Sequence, residues 1–216
     1  MPTRKSPSIT AQEIQDRYIS YVSKRGEHPE DLYEFCSDEK IKDVDFLKVY
    51  GDLKQVHHDI WKGFLTSTLE VLAEDDQFGS FSGREQLLAF YYTHIEVLKA
   101  NREFILVDQS RMKVPIPLPR FMTGYKEAFM DFAKGLINYA METGEVADRK
   151  FLNAQYARGV WAQLYWLVQF WVKDDSKEFE TTDAAIEKAV NLSLELVRPG
   201  PVDSIIDFAK FMYQNR

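Results

Sequence analysis

The sequence predicts an all-α protein, because prolines and glycines fall at only a few points and the long stretches between them carry apolar residues at spacings of three and four. That spacing is typical of amphipathic helices. The strict alternation of a half-buried strand is essentially absent. With 216 residues, of which 45% are hydrophobic, the chain has ample apolar side chains for a core, as one large domain or as a small domain followed by a larger one.

The first predicted helix runs from Thr10 to about Lys24. The hydroxyl of Thr10 can cap its start while Glu13, three residues on, completes a capping box, and Gly26 is a typical stop. The residues predicted to face inward are Ile14, Tyr18, Tyr21 and Val22.

Two short helices are predicted next. The second helix follows Pro29, a good first-turn residue, and continues through Cys36, after which the sequence SDEK predicts a turn. The third helix is predicted over residues 42–50. Its predicted inward residues are Val44, Leu47 and either Phe46 or Tyr50.

Further helices, most of them longer, fill the rest of the chain. They are predicted from Asp52 to about Glu74, from Arg84 to Lys99, from Arg102 to Gln109, from Phe121 to Glu142, from Ala147 to Lys173 and from Thr182 to Val197, before a last apolar segment with the sequence IIDFAKFMY. The sequence VPIPLPR at residues 114–120 interrupts the helical pattern, because proline cannot donate a backbone hydrogen bond inside a helix. This segment could be either an entrance lid of the ligand-binding domain or a plain connector, and the sequence does not decide between the two.

This order of helices resembles the TetR-type regulators. In the sequence VYGDLKQV at residues 49–56, Tyr50 matches the aromatic residue that closes the family's recognition helix and Val56 matches the leucine of helix four, while Leu53 stands where a lysine is usual. LINYAMETGEV at residues 136–146 is similar to the family's helix seven with its Gly-Glu turn, and TTDAAIEKAVNLSLELV at residues 181–197 is similar to its final dimer helix. The resemblance implies a helix-turn-helix domain over residues 1–54 and a larger helical ligand-binding and dimerisation domain over residues 55–216.

The resemblance also implies a transcriptional regulator that binds operator DNA through its third helix. The residues that would then contact DNA are Lys42, Lys48, Tyr50 and Lys54, with Arg4 and Lys5 as a basic arm. The charge of this region points the other way, because residues 1–56 hold nine Lys and Arg against eleven Asp and Glu, and the whole chain has a net charge of -7. Two hypotheses therefore stay open, DNA binding and an acidic three-helix unit that only packs.

The predicted helices of the second half are rich in aromatic residues. A wide apolar interior lined by them would suit a planar or lipid-like small molecule, with a few polar groups to orient it. The candidate ligand-binding residues are Trp61, Phe64, Tyr91, His94, Tyr125, Phe129, Trp161 and Tyr165. The alternative is that most of them only fill a core.

The resemblance supports a hydrophobic ligand in two ways. TetR-type regulators commonly sense hydrophobic effectors. The mitochondrial lipid-binding protein of ubiquinone biosynthesis is similar in fold and does not act as a repressor. A second hypothesis is therefore a lipid- or isoprenoid-binding protein that does not bind DNA.

The sequence GVWAQLYWLVQFWV at residues 159–172 is apolar nearly all round its helix, which predicts burial on two sides. Small residues on the final dimer helix allow another helix to approach closely. We therefore expect a homodimer with a two-fold interface of four helices, made by the helices predicted from Ala147 to Lys173 and from Thr182 to Val197. The alternative is a larger monomeric core in which the terminal IIDFAKFMY segment covers the same surface.

Catalysis, cofactors and metals are not expected. The sequence holds none of the common nucleophile, phosphate-loop, dinucleotide or zinc-protease motifs. His57 and His58 are neighbours on a helix, so their side chains diverge and cannot easily share a metal ion. The single cysteine, Cys36, excludes an internal disulfide and fits a reducing compartment. With no export signal and no long apolar run, the expected location is the cytoplasm, without a membrane span.

Overall fold

The computed structural model describes residues 9–109, 111–112, 118–150 and 152–215, and over these residues the protein has α-helices, short 3-10 turns and connections, with no strand. The α-helices are α1 (Ala11–Arg25), α2 (Leu32–Asp38), α3 (Asp43–Leu47), α4 (Leu53–Ala73), α5 (Gly83–Lys99), α6 (Arg102–Gln109), α7 (Thr123–Glu142), α8 (Asn153–Val172), α9 (Glu180–Val197) and α10 (Pro201–Gln214). The all-α prediction is confirmed. The basic arm of Arg4 and Lys5 and most of the proline-rich segment lie outside the described residues.

Helix α1 begins and ends as its sequence predicts. The backbone N–H of Glu13 donates to Thr10 Oγ1 at 3.2 Å, and the backbone N–H of Thr10 donates to Glu13 Oε2 at 2.8 Å, so the capping box is complete. Gly26 stops the helix with a φ of 72°, a left-handed conformation that glycine adopts at no steric cost.

Helix α2 begins at Leu32, three residues later than Pro29. The reason is a stronger cap: the carboxylate of Asp31 accepts from the backbone N–H groups of Tyr33 at 2.8 Å and Glu34 at 2.9 Å. Local hydrogen bonding by one side chain therefore decides where this helix starts.

Helix α3 is turned differently from the prediction. Val44 and Leu47 are 67% and 50% exposed, so their inward placement was wrong, whereas Phe46 and Tyr50 are both buried. Val44 and Leu47 share one side of this five-residue helix, Phe46 lies on another side, and only one side can face the core. The rings of Phe46 and Tyr50 are buried instead of Val44 and Leu47, because the two rings remove more apolar surface from water.

Helix α8 begins at Asn153, later than the predicted start at Ala147. The backbone N–H of Ala147 instead donates to the carbonyl of Val197 at 2.9 Å, and the buried guanidinium of Arg149 donates to the carboxylate of Asp203 at 2.5 Å. The same guanidinium also donates to the carbonyls of Leu196, Val197 and Arg198. Ala147 and Arg149 therefore satisfy open carbonyls at the end of α9 instead of starting α8.

The described residues form two compact units. The first draws on Met1–Thr68 and His94–Ala128, and the second on Leu69–Thr93 and Phe129–Arg216. Within the first unit α1 packs on α6, and within the second α8 packs on α9. The predicted domains, residues 1–54 and 55–216, were defined by DNA binding and ligand binding, whereas the two units are defined by their internal contacts. The predicted domain boundary therefore stays a prediction.

Helix α10 presents an apolar surface to solvent. Its exposed large side chains are Ile205, Phe208, Phe211, Met212 and Tyr213. Among the described helices, none combines the length and the apolarity that crossing a bilayer requires.

Candidate functional sites

The residues predicted to contact DNA lie around α3 in the first unit. Lys42 directly precedes the helix, Lys48 directly follows it and Lys54 is the second residue of α4, and all three side chains are exposed. Tyr50 is buried, and its hydroxyl accepts a hydrogen bond from Gln15 Nε2 at 2.6 Å. Three of the four residues are therefore at the surface, while Tyr50 contributes to packing against α1. DNA contact by these residues stays a prediction.

The outward face of α3 carries both signs of charge as well as apolar groups. Lys48 Nζ lies 2.6 Å from Asp45 Oδ1, and this hydrogen bond lowers the pKa of the Asp45 carboxyl. Val44 and Leu47 are exposed on the same short helix. The face therefore offers aliphatic contact area together with lysines, one of which is already paired with a carboxylate.

Four of the eight predicted ligand-binding residues lie in the first unit, and all four are buried. The indole of Trp61 meets the rings of Phe64 and Tyr125 edge to face, with centroid distances of 5.7 and 5.5 Å. His94 lies beside Tyr125, with a centroid distance of 5.6 Å. The structure thus brings these four side chains together in one aromatic cluster.

His94 is held by hydrogen bonds on both ring nitrogens. The hydroxyl of Thr68 donates to the carbonyl of Phe64 at 2.8 Å, which leaves its oxygen to accept from His94 Nδ1 at 2.7 Å. Nε2 is then unprotonated and accepts from the hydroxyl of Tyr125 at 2.6 Å. Burial lowers the pKa of His94 to about 3, so the imidazole is neutral across the physiological range.

The other four predicted ligand-binding residues lie in the second unit. Phe129 contacts Trp161 at a centroid distance of 5.9 Å, and Trp161 contacts Tyr165 at 6.0 Å. The hydroxyl of Tyr91 donates to Gln163 Oε1 at 2.7 Å, and Gln163 Nε2 donates to carbonyl and hydroxyl oxygens of α9. Within this unit the aromatic residues belong to the packing that joins α5, α7 and α8. A role in ligand binding stays a prediction for all eight residues.

The first unit also contains a buried cluster that the sequence did not reveal, formed by His28, His57 and Asp108. The fully buried carboxylate of Asp108 accepts from His28 Nε2 at 2.9 Å, from His57 Nε2 at 2.7 Å and from Trp61 Nε1 at 2.8 Å. Tyr18 Oη lies 3.0 Å from His28 Nδ1. Although burial raises the pKa of Asp108, the hydrogen bonds from both histidines and Trp61 lower it to about 2, so the carboxyl is ionised at neutral pH.

No sequence motif predicts this cluster, because its three residues are far apart in the sequence. His28 lies in the connection between α1 and α2, His57 on α4 and Asp108 on α6, and Asp108 is 80 and 51 residues from the two histidines. In the sequence analysis, His57 was considered as a metal ligand only together with its neighbour His58. His58 instead accepts from the backbone N–H of Gly124 at 3.1 Å.

A cavity of about 700 Å³ lies beside the cluster, within the first unit. His57 and Phe121 form part of its wall, where their rings stack with a centroid distance of 4.1 Å. The charged residues of the wall are Asp52, Lys54, Asp59, Arg111 and Arg120. The cavity therefore connects one face of the buried cluster with a wall of mixed charge.

The surface predicted for dimerisation lies on α8 and α9 in the second unit. A groove of about 550 Å³ is walled by alanines of α9 and by large apolar residues, of which Trp166 and Leu192 are exposed. The terminal segment does not cover this surface, because Phe208 and Phe211 of α10 are themselves exposed. In the described part of the chain the terminal segment therefore leaves this surface open, and the choice between a monomer and a homodimer stays a prediction.

Comparison with known proteins identifies this architecture. Residues 86–212 match the family described as tetracyclin repressor-like, C-terminal domain. The chain is similar to the fatty acid degradation regulator FadR from Bacillus halodurans, with 14% identity over 89% of this chain and 97% of that chain and a TM-score of 0.63. It is also similar to a regulatory protein in the tetR family from Rhodococcus RHA1, with 15% identity over 90% of this chain and 98% of that chain and a TM-score of 0.58. No curated protein matches the sequence.

The fold therefore defines the class of protein as an all-α protein of the TetR-like type. Because the family match spans more than half of the chain, the protein belongs to the tetracycline repressor-like family. The resemblance drawn from the sequence is confirmed. At 14% and 15% identity, the structural likenesses show the shared fold.

Proposed function

We propose that the protein is a homodimeric transcriptional regulator that binds operator DNA through α3 and a hydrophobic small molecule through its C-terminal helical domain. The role is one of binding rather than catalysis. The observation that carries the DNA-binding part is the outward face of α3, where Val44 and Leu47 are exposed next to Lys42 and Lys48.

This face has the chemistry of a major-groove contact. Exposed aliphatic side chains can meet thymine methyl groups, and flanking lysines can contact phosphates on either side. Exposed apolar groups on a five-residue helix are otherwise costly in water. Contact with DNA would explain why Val44 and Leu47 stay at the surface.

The test is a pull-down of sheared DNA from the source genome on the purified protein at low and moderate salt, followed by sequencing. We expect a few discrete sites that survive moderate salt. On such a site, Lys42→Ala and Lys48→Ala should weaken binding and lower the slope of log Kd against log salt by about one for each phosphate contact that is lost.

The chain offers a matched control for Lys48. Lys134 is exposed to a similar degree, at 59% against 62% for Lys48, and it also forms an ion pair with an aspartate three residues before it. Lys134→Ala should leave DNA binding unchanged. Equal effects of the two substitutions, or enrichment that disappears at moderate salt, would refute operator binding through α3.

Homodimerisation is proposed through the groove on α8 and α9. Its support is the exposed apolar surface of Trp166 and Leu192 beside small residues that permit close helix packing. A glutamate at Leu192, which is 58% exposed in one chain, would bring a charge into the interface of a dimer. We expect Leu192→Glu to yield monomers in analytical ultracentrifugation. Val71→Glu, at a 50% exposed position of α4, should stay dimeric, and a dimeric Leu192→Glu protein would rule out this interface.

A hydrophobic effector is proposed on the basis of the two aromatic groups and the neutral, buried imidazole of His94. The described role of the similar FadR protein in fatty acid degradation makes a fatty acid a suitable first probe, with an isoprenoid alcohol as the second. Tyr165→Ala should lower the affinity for the probe, whereas Tyr33→Ala, at an exposed position of α2, should not. Mass spectrometry of gently purified protein would reveal a retained ligand, and failure of both probes and of this search would contradict the effector.

A second function, lipid or isoprenoid binding without DNA binding, is favoured by charge. Residues 1–56 carry nine Lys and Arg against eleven Asp and Glu, and Lys48 is already paired with Asp45. This function predicts no salt-resistant DNA site together with a bound lipid. The DNA pull-down and the mass spectrometry of the purified protein therefore distinguish this second function from that of a regulator.

A further inference from the structure

We propose that His28, His57 and Asp108 form a binding site for a divalent transition-metal ion, with Zn²⁺ as the representative. Each residue offers one ligand atom, and these atoms lie within 4.8 Å of one another. They come from three separate elements of the first unit, the connection after α1, helix α4 and helix α6. Two imidazoles and one carboxylate form a donor set that zinc sites use, with further positions left for water or another ligand.

The direction of the side chains supports ligation. Both histidines turn Nε2 toward the same carboxylate, at 2.9 and 2.7 Å, so their lone pairs would converge once the bridging protons move. Helical neighbours such as His57 and His58 lack this convergence. Tetrahedral coordination with metal–ligand distances of about 2.0–2.2 Å separates neighbouring ligand atoms by about 3.4 Å, so each Nε2 would move slightly away from the carboxylate, from its present 2.9 or 2.7 Å.

The protons can move without loss of a hydrogen bond at His28. In the metal-free cluster Nε2–H donates to Asp108, so Nδ1 accepts from the hydroxyl of Tyr18 at 3.0 Å. When Nε2 binds a metal, the proton resides on Nδ1 and donates to the same hydroxyl oxygen. Tyr18 can serve both tautomers, which is the outer hydrogen bond that metal-bound histidines usually have.

The cavity beside the cluster gives an ion a route to His57. Arg111 and Arg120 on its wall oppose a cation, and Asp52 and Asp59 on the same wall offset them. A bound ion would connect the segment after α1 with α4 and α6, and would thereby stabilise the first unit. This expectation does not depend on DNA or effector binding.

The first measurement is titration of the tag-free, full-length protein with Co²⁺, followed by visible absorption, and with Zn²⁺, followed by calorimetry. We expect one ion for each chain, a visible spectrum of protein-bound cobalt and a higher melting temperature with Zn²⁺. His28→Gln and Asp108→Asn should lose the spectrum and the thermal shift. His58→Gln, at the histidine that follows His57 on α4 and lines the same cavity, should retain both.

A mild variant keeps the test decisive if Asp108→Asn does not fold. Tyr18→Phe removes only the hydroxyl that supports His28, and it should weaken Zn²⁺ binding on the order of tenfold without abolishing it. Circular dichroism would verify that each variant is helical. Absence of stoichiometric binding by the unaltered protein, or equal binding by folded His28→Gln, would overturn the proposal while leaving the regulator function untouched.

Discussion

The buried imidazole of His94 makes the protein sensitive to mild acid. In the folded chain burial lowers its pKa to about 3, against 6.5 for an ordinary histidine. A proton on Nε2 would face the hydroxyl of Tyr125, which donates to that nitrogen. In mild acid the His94 imidazole is therefore protonated in the unfolded chain but not in the folded chain, so acid favours unfolding.

The sign and size of the effect follow from these two pKa values. The contribution of His94 to stability is complete well above 6.5 and is lost progressively as the pH falls from 6.5 toward 3. Between about pH 7 and about pH 5, the free energy of unfolding should fall by about 2 kcal/mol through His94. His57, whose pKa is also lowered by burial, adds to the loss in the same direction. Asp108, with a pKa of about 2, titrates below this window.

The substitution His94→Gln isolates the contribution of His94, because glutamine cannot take up the proton. Urea unfolding at both pH values, extrapolated to water, gives the loss of free energy for each protein. His94→Gln should lose about 2 kcal/mol less than the unaltered chain. His58→Gln, at a half-exposed position, should behave like the unaltered chain. If His94→Gln and the unaltered chain lose the same free energy on acidification, the neutral buried imidazole is not the source of the effect.

Two further substitutions test the packing of the second unit by urea unfolding at neutral pH. Arg149→Ala removes the buried donor that serves the end of α9, so we expect a loss of about 3 kcal/mol. Exposed Arg158→Ala on α8 is its control, and an equal, small loss for both would contradict the role of Arg149. Gly83→Ala should cost about 1–3 kcal/mol, because the added Cβ would lie 2.8 Å from Ala140 Cβ. Gly79→Ala meets nothing within 4 Å and should be close to neutral, so similar losses for the two glycines would argue against this contact.

The helices themselves were largely predictable. The start of α1 at the Thr10 capping box and its stop at Gly26 depend on residues within four positions of each other, so the sequence carries the whole signal. The starts of α2 and α8 were misplaced because a competing hydrogen bond decided each. Asp31 acts locally at α2, whereas Arg149 acts on carbonyls about 47 residues away.

The positions of the candidate site residues were predictable only in part, and their roles stay predictions. Lys42, Lys48 and Lys54 lie at the surface as a DNA-contacting role requires, and the eight aromatic and histidine candidates all belong to two packed groups. The face that α3 turns to the core was not predictable, since a five-residue helix has no dominant apolar stripe. Its orientation follows from which rings fit the core of the first unit.

The sequence by itself determined the all-α class and the order of the helices, because helical periodicity and caps act between near neighbours. The TetR-like family was indicated by the resemblance of its motifs. Only the tertiary structure brought His28 and His57 to the carboxylate of Asp108, which lies 80 and 51 residues from them. No periodic pattern links such distant positions. Their meeting is decided by the packing of α1, α4 and α6, where a buried carboxylate is stable only if donors surround it.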